Sequence, residues 1–272
     1  MSRPRLAVIG AGKIGSAIAA RAVACGYDVI ATGRRRATLE AAEKVGARAT
    51  RDNRRAVLES ELVVLSVKPV HVPTVLGEIA DALEGRALLS VVAGVRRRTL
   101  EAATSAEAVY RAMPNINVLI GKSTTAVTGP RGNGWDSKVE ELLSCMGSVY
   151  WVPEEWLDPW TALVGSAPAY ISVLIDALVL GGVAVGLPRD LGLSAVIDTV
   201  KATAEMLEKR PVHPAQVRDE VTTPAGTTIE ALKVIEERSV AAALIRVVEA
   251  ATEKARILGE EIDREVRRKL SL

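Results

Sequence analysis

The chain has 272 residues, of which about half are apolar and a quarter are charged, and its formal net charge is +2. This length is sufficient for two domains, and the composition is ordinary for a soluble globular protein. Because the net charge is small and no long basic run is interleaved with aromatic residues, a nucleic-acid-binding surface is not indicated.

The cysteines and histidines do not indicate a metal site. Cys25 and Cys145 are far apart in the sequence and form no CxxC motif, so we expect two small buried thiols in a reducing compartment. His71 and His213 stand in no metal-ligand spacing. The first apolar stretch, LAVIGAG, is too short and too rich in glycine for a secretion signal, so we expect a cytoplasmic protein.

In chain order, short apolar strands alternate with helical patterns through the first half of the sequence. Helices are predicted over residues 15–25 and 37–45. Strands are predicted over residues 5–10, 27–32, 62–67, 87–93, 108–113, 123–128 and 147–153. This alternation predicts an α/β domain built on a mostly parallel, doubly wound sheet.

The second half carries helical periodicity and no further convincing strand. Helices are predicted over residues 168–182, 189–209, 228–237 and 239–268, with prolines and a Pro-Ala-Gly turn between them. The composition changes near residues 154–160. The sequence therefore predicts an α/β domain over residues 1–157 and an all-helical domain over residues 158–272.

The longest apolar run is Pro168–Leu187, and its length is close to that of a membrane span. Asp176 lies inside the run, where membrane insertion of a carboxylate costs roughly 3 kcal/mol. The pair Gly181-Gly182 also interrupts it. We therefore expect a helix that is buried in a soluble bundle or in a subunit interface, and no membrane partner.

The motif GAGKIG, Gly10–Gly15, has the GxGxxG spacing of a dinucleotide-binding turn. It follows a predicted strand and opens a predicted helix, which is the context that such a motif requires. The first glycine makes the tight turn, the second lets the backbone approach a pyrophosphate, and the third lets helix and strand pack closely. The alternative is a glycine-rich turn that binds no ligand.

Arginines stand at the position where a dinucleotide-binding domain recognises the ribose. An NAD-preferring site normally shows Asp or Glu about 20 residues after the glycines, whereas this chain reads Thr32-Gly33-Arg34-Arg35-Arg36. Arginines can pair with a 2′-phosphate, so the stretch predicts NADP in preference to NAD. The alternative is a solvated helix start.

Three more stretches fall where loops should leave the carboxyl ends of strands, which is where open α/β sheets bind ligands. They are DNRRAV (52–57), SVKPV (66–70) and VVAGV (91–95). We expect Asn53 to reach an adenine or ribose edge. We expect Lys68 to lie near the phosphates or the nicotinamide.

Taken in order, the motifs GAGKIG, DNRRAV, SVKP, VVAGV, RAMPN, GSAPAY and HPAQVRDEVTTPAGTTIEAL resemble the pyrroline-5-carboxylate reductase family. The resemblance covers nearly the whole chain, and its last three blocks are the most specific. It implies an N-terminal Rossmann domain and a C-terminal helical domain that interlocks two subunits. It also implies reduction of the C=N bond of Δ1-pyrroline-5-carboxylate to L-proline by NAD(P)H.

The resemblance and the patterns above assign roles to individual residues. The residues expected to bind NADP(H) are Gly10, Ala11, Gly12, Lys13, Ile14, Gly15, Thr32, Arg34, Arg35, Asn53, Val67, Lys68, Pro69, Ala93, Gly94 and Asn115. The residues expected to bind the substrate are Ser166, Thr223, Gly226, Thr227 and Thr228. Thr228 is the candidate for the catalytic hydrogen bond at the ring nitrogen.

The sequence departs from the family pattern at several positions. Asn117 stands where the family has the second proline of MPNxP, and Ala225 stands where a glycine is common. Ala225 matters most, because the loop backbone must approach the ligand and alanine restricts φ.

The stretch VTTPAGTTIEAL, residues 221–232, has two interpretations. Thr227 with Glu230 three residues later is a capping-box pattern, and Thr228 is an alternative N-cap. The other interpretation is a carboxylate-binding nest made of the backbone N–H groups after Gly226 and of hydroxyls on both sides. The second interpretation also accounts for Thr222 and Thr223, which precede the turn.

Two other functions remain open at the level of sequence. One is a reductase of the same two-domain plan that acts on another cyclic imine or on a hydroxy acid. The other is a non-catalytic NADP-binding regulator, which would have no reason to keep the threonine loop.

Overall fold

A computed structural model describes residues 4–272 of the chain. Its strands are β1 (Arg5–Ile9), β2 (Asp28–Thr32), β3 (Arg48–Thr50), β4 (Leu62–Leu65), β5 (Ala87–Ser90), β6 (Ala108–Met113), β7 (Ser123–Thr128) and β8 (Gly147–Trp151). Its α-helices are α1 (Lys13–Ala24), α2 (Arg36–Lys44), α3 (Asn53–Leu58), α4 (Val72–Ile79), α5 (Arg97–Ala103), α6 (Trp135–Ser144), α7 (Leu157–Trp160), α8 (Ala167–Ala184), α9 (Arg189–Lys209), α10 (Pro214–Glu220), α11 (Thr227–Glu237) and α12 (Val240–Leu270).

The strands form one sheet in the order β3-β2-β1-β4-β5-β6-β7-β8. All neighbours are parallel except β6 and β7. Alternate residues of β1 belong to two different hydrophobic clusters, Leu6 and Val8 to one and Ala7 and Ile9 to the other. Successive side chains of a strand point to opposite faces, so both faces of the sheet are covered. The predicted mostly parallel, doubly wound sheet is confirmed.

The chain divides into two compact units. The first extends to Ser166 and also includes Ala251–Leu272, and the second is Ala167–Ala250. The expected domains did not include the return of Ala251–Leu272 to the first unit, which follows because the end of α12 packs on the α/β sheet. Val266 of α12 is buried in the same cluster as Val63 and Leu65, and periodicity alone cannot show that a helix returns to an earlier domain.

The second unit consists of helices, as expected. Within it, α8 and α9 pack against each other, and Val179 is buried beside Gly192. Arg189 Nη2 and Asp176 Oδ1 lie 3.0 Å apart. Most other large apolar side chains of α8 are exposed in the single chain: Ile171, Val173, Leu174, Leu178, Leu180 and Val183.

Among the described residues, one helical stretch, Glu154–Ala184, is long and apolar enough to cross a membrane by length and composition alone. Its mean hydropathy is 1.9, and 6% of its apolar window is buried. The single chain therefore does not bury this stretch in a bundle of its own.

The two cysteines form a disulfide, so the expectation of two small buried thiols is wrong. Cys25 directly follows α1 and is exposed, Cys145 directly follows α6, and their Cα atoms are 6.2 Å apart. The two helices meet because they cover the same face of the sheet, where Ala22 of α1 and Leu142 of α6 share one cluster. A sequence separation of 120 residues gives no indication of this proximity.

The sequence patterns missed β3, α10 and all five α-helices between β3 and α8, which are α3, α4, α5, α6 and α7. β3 has three residues and α3 has six, too few for a clear period. α3 is stabilised by Asp52, whose Oδ1 accepts the N–H of Arg55 at 2.9 Å. α10 begins at a proline after a histidine N-cap, His213, whose Nδ1 accepts the N–H of Ala215 at 3.2 Å.

Candidate functional site

The glycine motif forms the turn between β1 and α1, and its first and last glycines are required by packing. Gly10 has φ +94°, and a Cβ there would lie 2.6 Å from Cγ1 of Val67. A Cβ on Gly15 would lie 2.1 Å from the carbonyl oxygen of Gly10. Gly12 differs, because no heavy atom lies within 4 Å of the place where its Cβ would be. The space in front of Gly12 is therefore open to a ligand.

The start of α1 is suited to an anion. Gly12 is the N-cap, so no side chain caps the helix, and its first turn contains no acidic residue. The free N–H groups and the positive end of the helix dipole therefore face outwards from the carboxyl end of β1. This open and uncapped start fits the pyrophosphate of a dinucleotide, with Ala11, Lys13 and Ile14 beside it.

The ribose position lies at the carboxyl end of β2. Thr32 is 1% exposed, and its hydroxyl accepts the N–H of Gly10 at 3.1 Å. Thr32 therefore shapes the glycine turn. Arg34 and Arg35 are exposed. Nη2 of Arg34 lies 2.7 Å from Nε2 of His71, which accepts this hydrogen bond in the tautomer protonated at Nδ1.

His71 is a further candidate residue of the cofactor site, and no sequence pattern indicates it, because it stands in no metal-ligand spacing and lies 37 residues from Arg34. His71 is the last residue of a 3₁₀ turn, Pro69–His71, and this turn begins directly after Lys68. Lys68 is exposed, and Val67 contacts the glycine turn. The structure thus brings the SVKP loop beside the glycine motif and beside Arg34, at the same edge of the sheet.

Asn53 is the first residue of α3, and its side chain is engaged within the chain. Its Nδ2 donates to Oε2 of Glu78 at 2.6 Å, and both residues are at least partly accessible. A cofactor contact by Asn53 therefore requires that this hydrogen bond be shared or exchanged.

The loop after β5 holds Ala93, which is exposed, and Gly94, which has φ +82°. A Cβ on Gly94 would lie 2.9 Å from Cδ1 of Ile262 in α12. The positive φ and this close packing both require glycine at position 94.

The residues after this loop belong to a network of charged side chains, of which Arg111 is buried and the others are partly buried. Oε1 of Glu154 accepts the backbone N–H of Arg97 at 2.8 Å and Nη1 of Arg111 at 2.6 Å. Nη2 of Arg96 donates to Oδ2 of Asp158 at 2.8 Å. Burial lowers the pKa of Arg111, and the carboxylate of Glu154 offsets this in part.

Burial raises the pKa of Glu154, but the Arg97 N–H and the Arg111 guanidinium outweigh this and hold the pKa of Glu154 below its ordinary value. Glu154 is therefore ionised at neutral pH and forms a charged pair with Arg111. This network could not be predicted from local sequence patterns, because the charged residues that form it belong to three distant segments of the chain.

Asn115 is buried, and its side chain has partners within the first unit. Its Nδ2 donates to the carbonyl oxygen of Val164 at 3.4 Å, and its Oδ1 accepts the N–H of Asn117 at 3.2 Å. A proline at position 117, as in the family pattern, would have no N–H to donate. The N–H of Asn117, which the family's proline lacks, therefore helps to hold the amide of Asn115 in place.

Ser166, at the end of the first unit, is half-buried, and its N–H donates to the carbonyl oxygen of Thr161 at 2.9 Å.

The threonine loop belongs to the second unit. Gly226 is the N-cap of α11, and no side chain caps the helix. The capping-box interpretation of Thr227 and Glu230 is therefore wrong, because Thr227 is already the first helical residue. Glu230 instead lies 2.7 Å from Nζ of Lys233.

The turn before α11 is tight. The N–H of Gly226 donates to the carbonyl oxygen of Thr223 at 3.0 Å, and a Cβ on Gly226 would lie 2.2 Å from Oγ1 of Thr223. Ala225 has φ +56°, the left-handed conformation that glycine adopts at lower cost. An uncapped helix start, with the hydroxyls of Thr223, Thr227 and Thr228 beside it, is a suitable binding place for a carboxylate.

Among residues 4–272, no group of three or more His, Cys, Asp or Glu side chains is arranged to hold a metal ion.

Comparison with known proteins gives two family matches. Residues 154–258 match the model described as "Pyrroline-5-carboxylate reductase dimerisation", and residues 5–94 match "NADP oxidoreductase coenzyme F420-dependent". A pyrroline-5-carboxylate reductase of Thermus thermophilus is 38% identical over 268 residues, covering 94% of this chain and 99% of the relative. A pyrroline-5-carboxylate reductase of Synechocystis is 35% identical over 266 residues, which cover 94% of this chain and 99% of the relative.

A solved structure is also similar over nearly the whole chain. It is the crystal structure of Plasmodium falciparum pyrroline carboxylate reductase with NADP bound, with a TM-score of 0.84 and 27% identity. The similarity covers 95% of this chain and 99% of that one.

Proposed function

The chain belongs to the pyrroline-5-carboxylate reductase family, and from this premise we propose that it reduces Δ1-pyrroline-5-carboxylate to L-proline with NADPH, the last step of proline biosynthesis. The observation that carries the proposal is that the chain has two uncapped helix starts of suitable chemistry. One, at Gly12, follows the glycine turn of an NADP-binding sheet. The other, at Gly226, lies among threonines.

When bound, NADPH supplies a hydride from C4 of its nicotinamide. The residues of this chain bind and orient it. The N-terminus of α1 receives the pyrophosphate, and Arg34, supported by His71, pairs with the 2′-phosphate. Ala93 and Gly94 meet the nicotinamide half. Asn53, Val67, Lys68 and Pro69 line the same edge of the sheet.

We assign the threonine loop to the substrate. The free N–H groups of Thr227 and Thr228 bind the carboxylate, and the hydroxyls of Thr223 and Thr227 add hydrogen bonds from both sides. The loop uses backbone donors, so it holds a carboxylate without a cationic side chain. Ser166 is a further candidate for the substrate side of the site.

The reaction makes a bond between the hydride and C5 of the ring. The two π electrons of C=N move to nitrogen, which carries a proton and becomes the amine of proline. The protein must therefore hold the ring with C5 accessible and stabilise the protonated nitrogen with a hydrogen bond. Thr228 is the residue we assign to that contact, through its hydroxyl. This chemistry needs no nucleophile and no metal ligand.

We further propose that the protein is a homodimer or a larger homo-oligomer formed through its helical unit, and that it works in the cytoplasm. The exposed apolar side chains of α8 support the first point, because patches of this kind mark interfaces. The family model that matches residues 154–258 is described as a dimerisation model. The disulfide does not support the second point by itself, because cytosolic proteins of mesophiles rarely keep disulfides, whereas those of hyperthermophiles do.

The proposed function is tested by NADPH oxidation with a panel of substrates. Δ1-pyrroline-5-carboxylate is compared with its six-membered homologue, Δ1-piperideine-6-carboxylate, and with several 2-oxo acids. We expect the five-membered imine to give the highest kcat/KM. A preference for the larger ring or for an oxo acid would assign the chain to another reductase of the same plan. Binding of NADPH with no turnover of any substrate would indicate a regulator.

A further inference from the structure

The loop between β5 and α5 is held by two carboxylates from distant parts of the sequence. The N–H of Arg96 donates to Oδ1 of Asp263 at 2.8 Å, and the N–H of Arg97 donates to Oε1 of Glu154 at 2.8 Å. Arg96 is the N-cap of α5 and provides no side-chain cap of its own. The two carboxylates therefore take the place of the local Ser, Thr or Asp that caps many helices.

Asp263 is the more informative of the two. It lies in α12, 167 residues after Arg96, and is 4% exposed. A buried carboxylate is costly unless it accepts hydrogen bonds, and an N–H bond to an ionised carboxylate is a strong one. Glu154, by contrast, also pairs with the buried Arg111, so its removal would leave a second charge unpaired.

The neighbour of Asp263 contacts the same loop. Ile262 packs against Gly94, whose φ of +82° sets the direction of the chain. One turn of α12 thus fixes the loop at two points, by packing at Gly94 and by a hydrogen bond at Arg96. Ala93 lies between the end of β5 and Gly94, so these two contacts restrict the backbone conformation of Ala93.

We infer that Asp263 is a positioning residue for the nicotinamide end of the cofactor site. It holds the loop in the conformation in which Ala93 and Gly94 meet the nicotinamide half, and it acts only through the loop backbone. The inference rests on the proposed function, which assigns Ala93 and Gly94 to that half of NADPH.

The test compares the whole cofactor with a fragment. NADPH and 2′,5′-ADP share the adenosine and the 2′-phosphate, but only NADPH reaches the loop after β5. Both are titrated calorimetrically into the wild-type protein and into Asp263→Ala, Asp263→Glu and Asp263→Asn. We expect Asp263→Ala to weaken NADPH binding about 10- to 100-fold, as for the loss of one charge-assisted hydrogen bond, with 2′,5′-ADP binding unchanged.

The other two variants separate position from charge. Asp263→Asn keeps an acceptor oxygen at the same distance, so it should retain most of the NADPH affinity. Asp263→Glu keeps the charge but shifts the carboxylate by one methylene, so it should weaken NADPH binding selectively. Asp263→Glu also carries the test if Asp263→Ala does not fold.

Asp136 provides a control on another loop. Its Oδ2 accepts the N–H of Gly132 at 2.5 Å in the loop before α6, and its Oδ1 accepts the hydroxyl of the buried Tyr110 at 2.6 Å. Because β7 runs antiparallel to β6, this loop lies at the opposite edge of the sheet from the cofactor. Asp136→Ala should lower the unfolding temperature and leave the ratio of NADPH to 2′,5′-ADP affinity unchanged.

Two results would overturn the inference. One is an equal loss of affinity for NADPH and 2′,5′-ADP in the Asp263 variants. The other is a lower unfolding temperature with both affinities unchanged, which would make Asp263 a purely structural residue. Absence of turnover with Δ1-pyrroline-5-carboxylate in the wild type would refute the proposed function instead, and the two affinities would still report on Asp263.

Discussion

We propose that Arg34 makes the main contribution to the preference for NADPH over NADH. Arg34→Ala should reduce kcat/KM for NADPH by an amount equal to roughly 1.5–3 kcal/mol, because it removes a charged partner of the 2′-phosphate. The value for NADH should stay nearly constant, since NADH has no 2′-phosphate. Steady-state kinetics with both cofactors measure the difference.

Arg36 is the control for Arg34. It lies two residues later on the same surface, but its Nε is 2.7 Å from Oε1 of Glu40 and its side chain is solvated. Arg36→Ala should change neither kcat/KM for NADPH nor kcat/KM for NADH. A wild-type protein that prefers NADH would contradict the assignment of the ribose position.

Thr228 lies inside the first turn of α11 and does not cap the helix, so a loss of activity on its substitution would report on the substrate contact. Since Gly226 is the N-cap, Thr228→Val should leave the unfolding temperature close to that of the wild type. We expect kcat/KM for Δ1-pyrroline-5-carboxylate to fall about 10- to 100-fold, or about 1.4–2.7 kcal/mol, with NADPH affinity unchanged.

Thr228→Ser keeps the hydroxyl and should retain much of the activity. Normal turnover by Thr228→Val would show that the hydroxyl does not contact the imine.

Ala225 shows how a departure from the family pattern can leave a loop intact. It adopts φ +56°, so the left-handed turn that suits glycine is kept. An alanine in this conformation costs roughly 1–2 kcal/mol. The turn hydrogen bond from Gly226 to Thr223 is made at 3.0 Å all the same.

At the scale of single elements, the sequence predicts well whatever depends on local patterns. The strands with long apolar runs, such as β1 and β4, and the long helices α9 and α11 lie close to their expected positions. The glycine turn was also predictable, because its chemistry is contained in six consecutive residues. Short elements such as β3 escaped because three residues carry no period.

Features that depend on contacts between distant segments could not be predicted. Asp263 reaches the loop after β5 only because the end of α12 packs on the sheet. In the sequence around it, Asp263 is one of several acidic residues of a long helix, and nothing distinguishes it from the others. His71 supports Arg34 only because the loops after β2 and β4 lie at one edge. The Cys25–Cys145 disulfide likewise follows from two helices on one face.

This disulfide joins the ends of α1 and α6, and we expect it to stabilise the first unit. Reduction, or Cys145→Ser, should lower the free energy of unfolding by roughly 2–4 kcal/mol, because the cross-link restricts the unfolded chain. Denaturant unfolding with and without a reductant measures this.

The Cys145→Ser variant should not respond to the reductant, and it serves as the control. Thiol titration that finds two free cysteines in the native protein under non-reducing conditions would contradict the disulfide.

At the scale of the whole molecule, the exposed apolar side chains of α8 support the proposed homo-oligomer. Leu180 is 48% exposed, so Leu180→Glu should disrupt the oligomer without disturbing the interior of the helical unit. Val179 is 2% exposed and packs within its own chain, which makes it unsuitable for this purpose. Light scattering at micromolar concentration measures the change.

Leu58 is the matched control, because it is a leucine of similar exposure, 50%, on α3 of the first unit. Leu58→Glu should leave the molar mass unchanged. A wild-type protein that is a stable monomer would show that α8 is covered in some other way.

The central claim is that this chain moves a hydride from NADPH to C5 of Δ1-pyrroline-5-carboxylate. The most direct measurement supplies NADPH with both C4 hydrogens of the nicotinamide replaced by deuterium, so that transfer from either face delivers the label, and identifies the product by mass spectrometry and NMR. We expect L-proline with one deuterium at C5. A product without the label, or no proline at all while the cofactor is bound, would contradict the account.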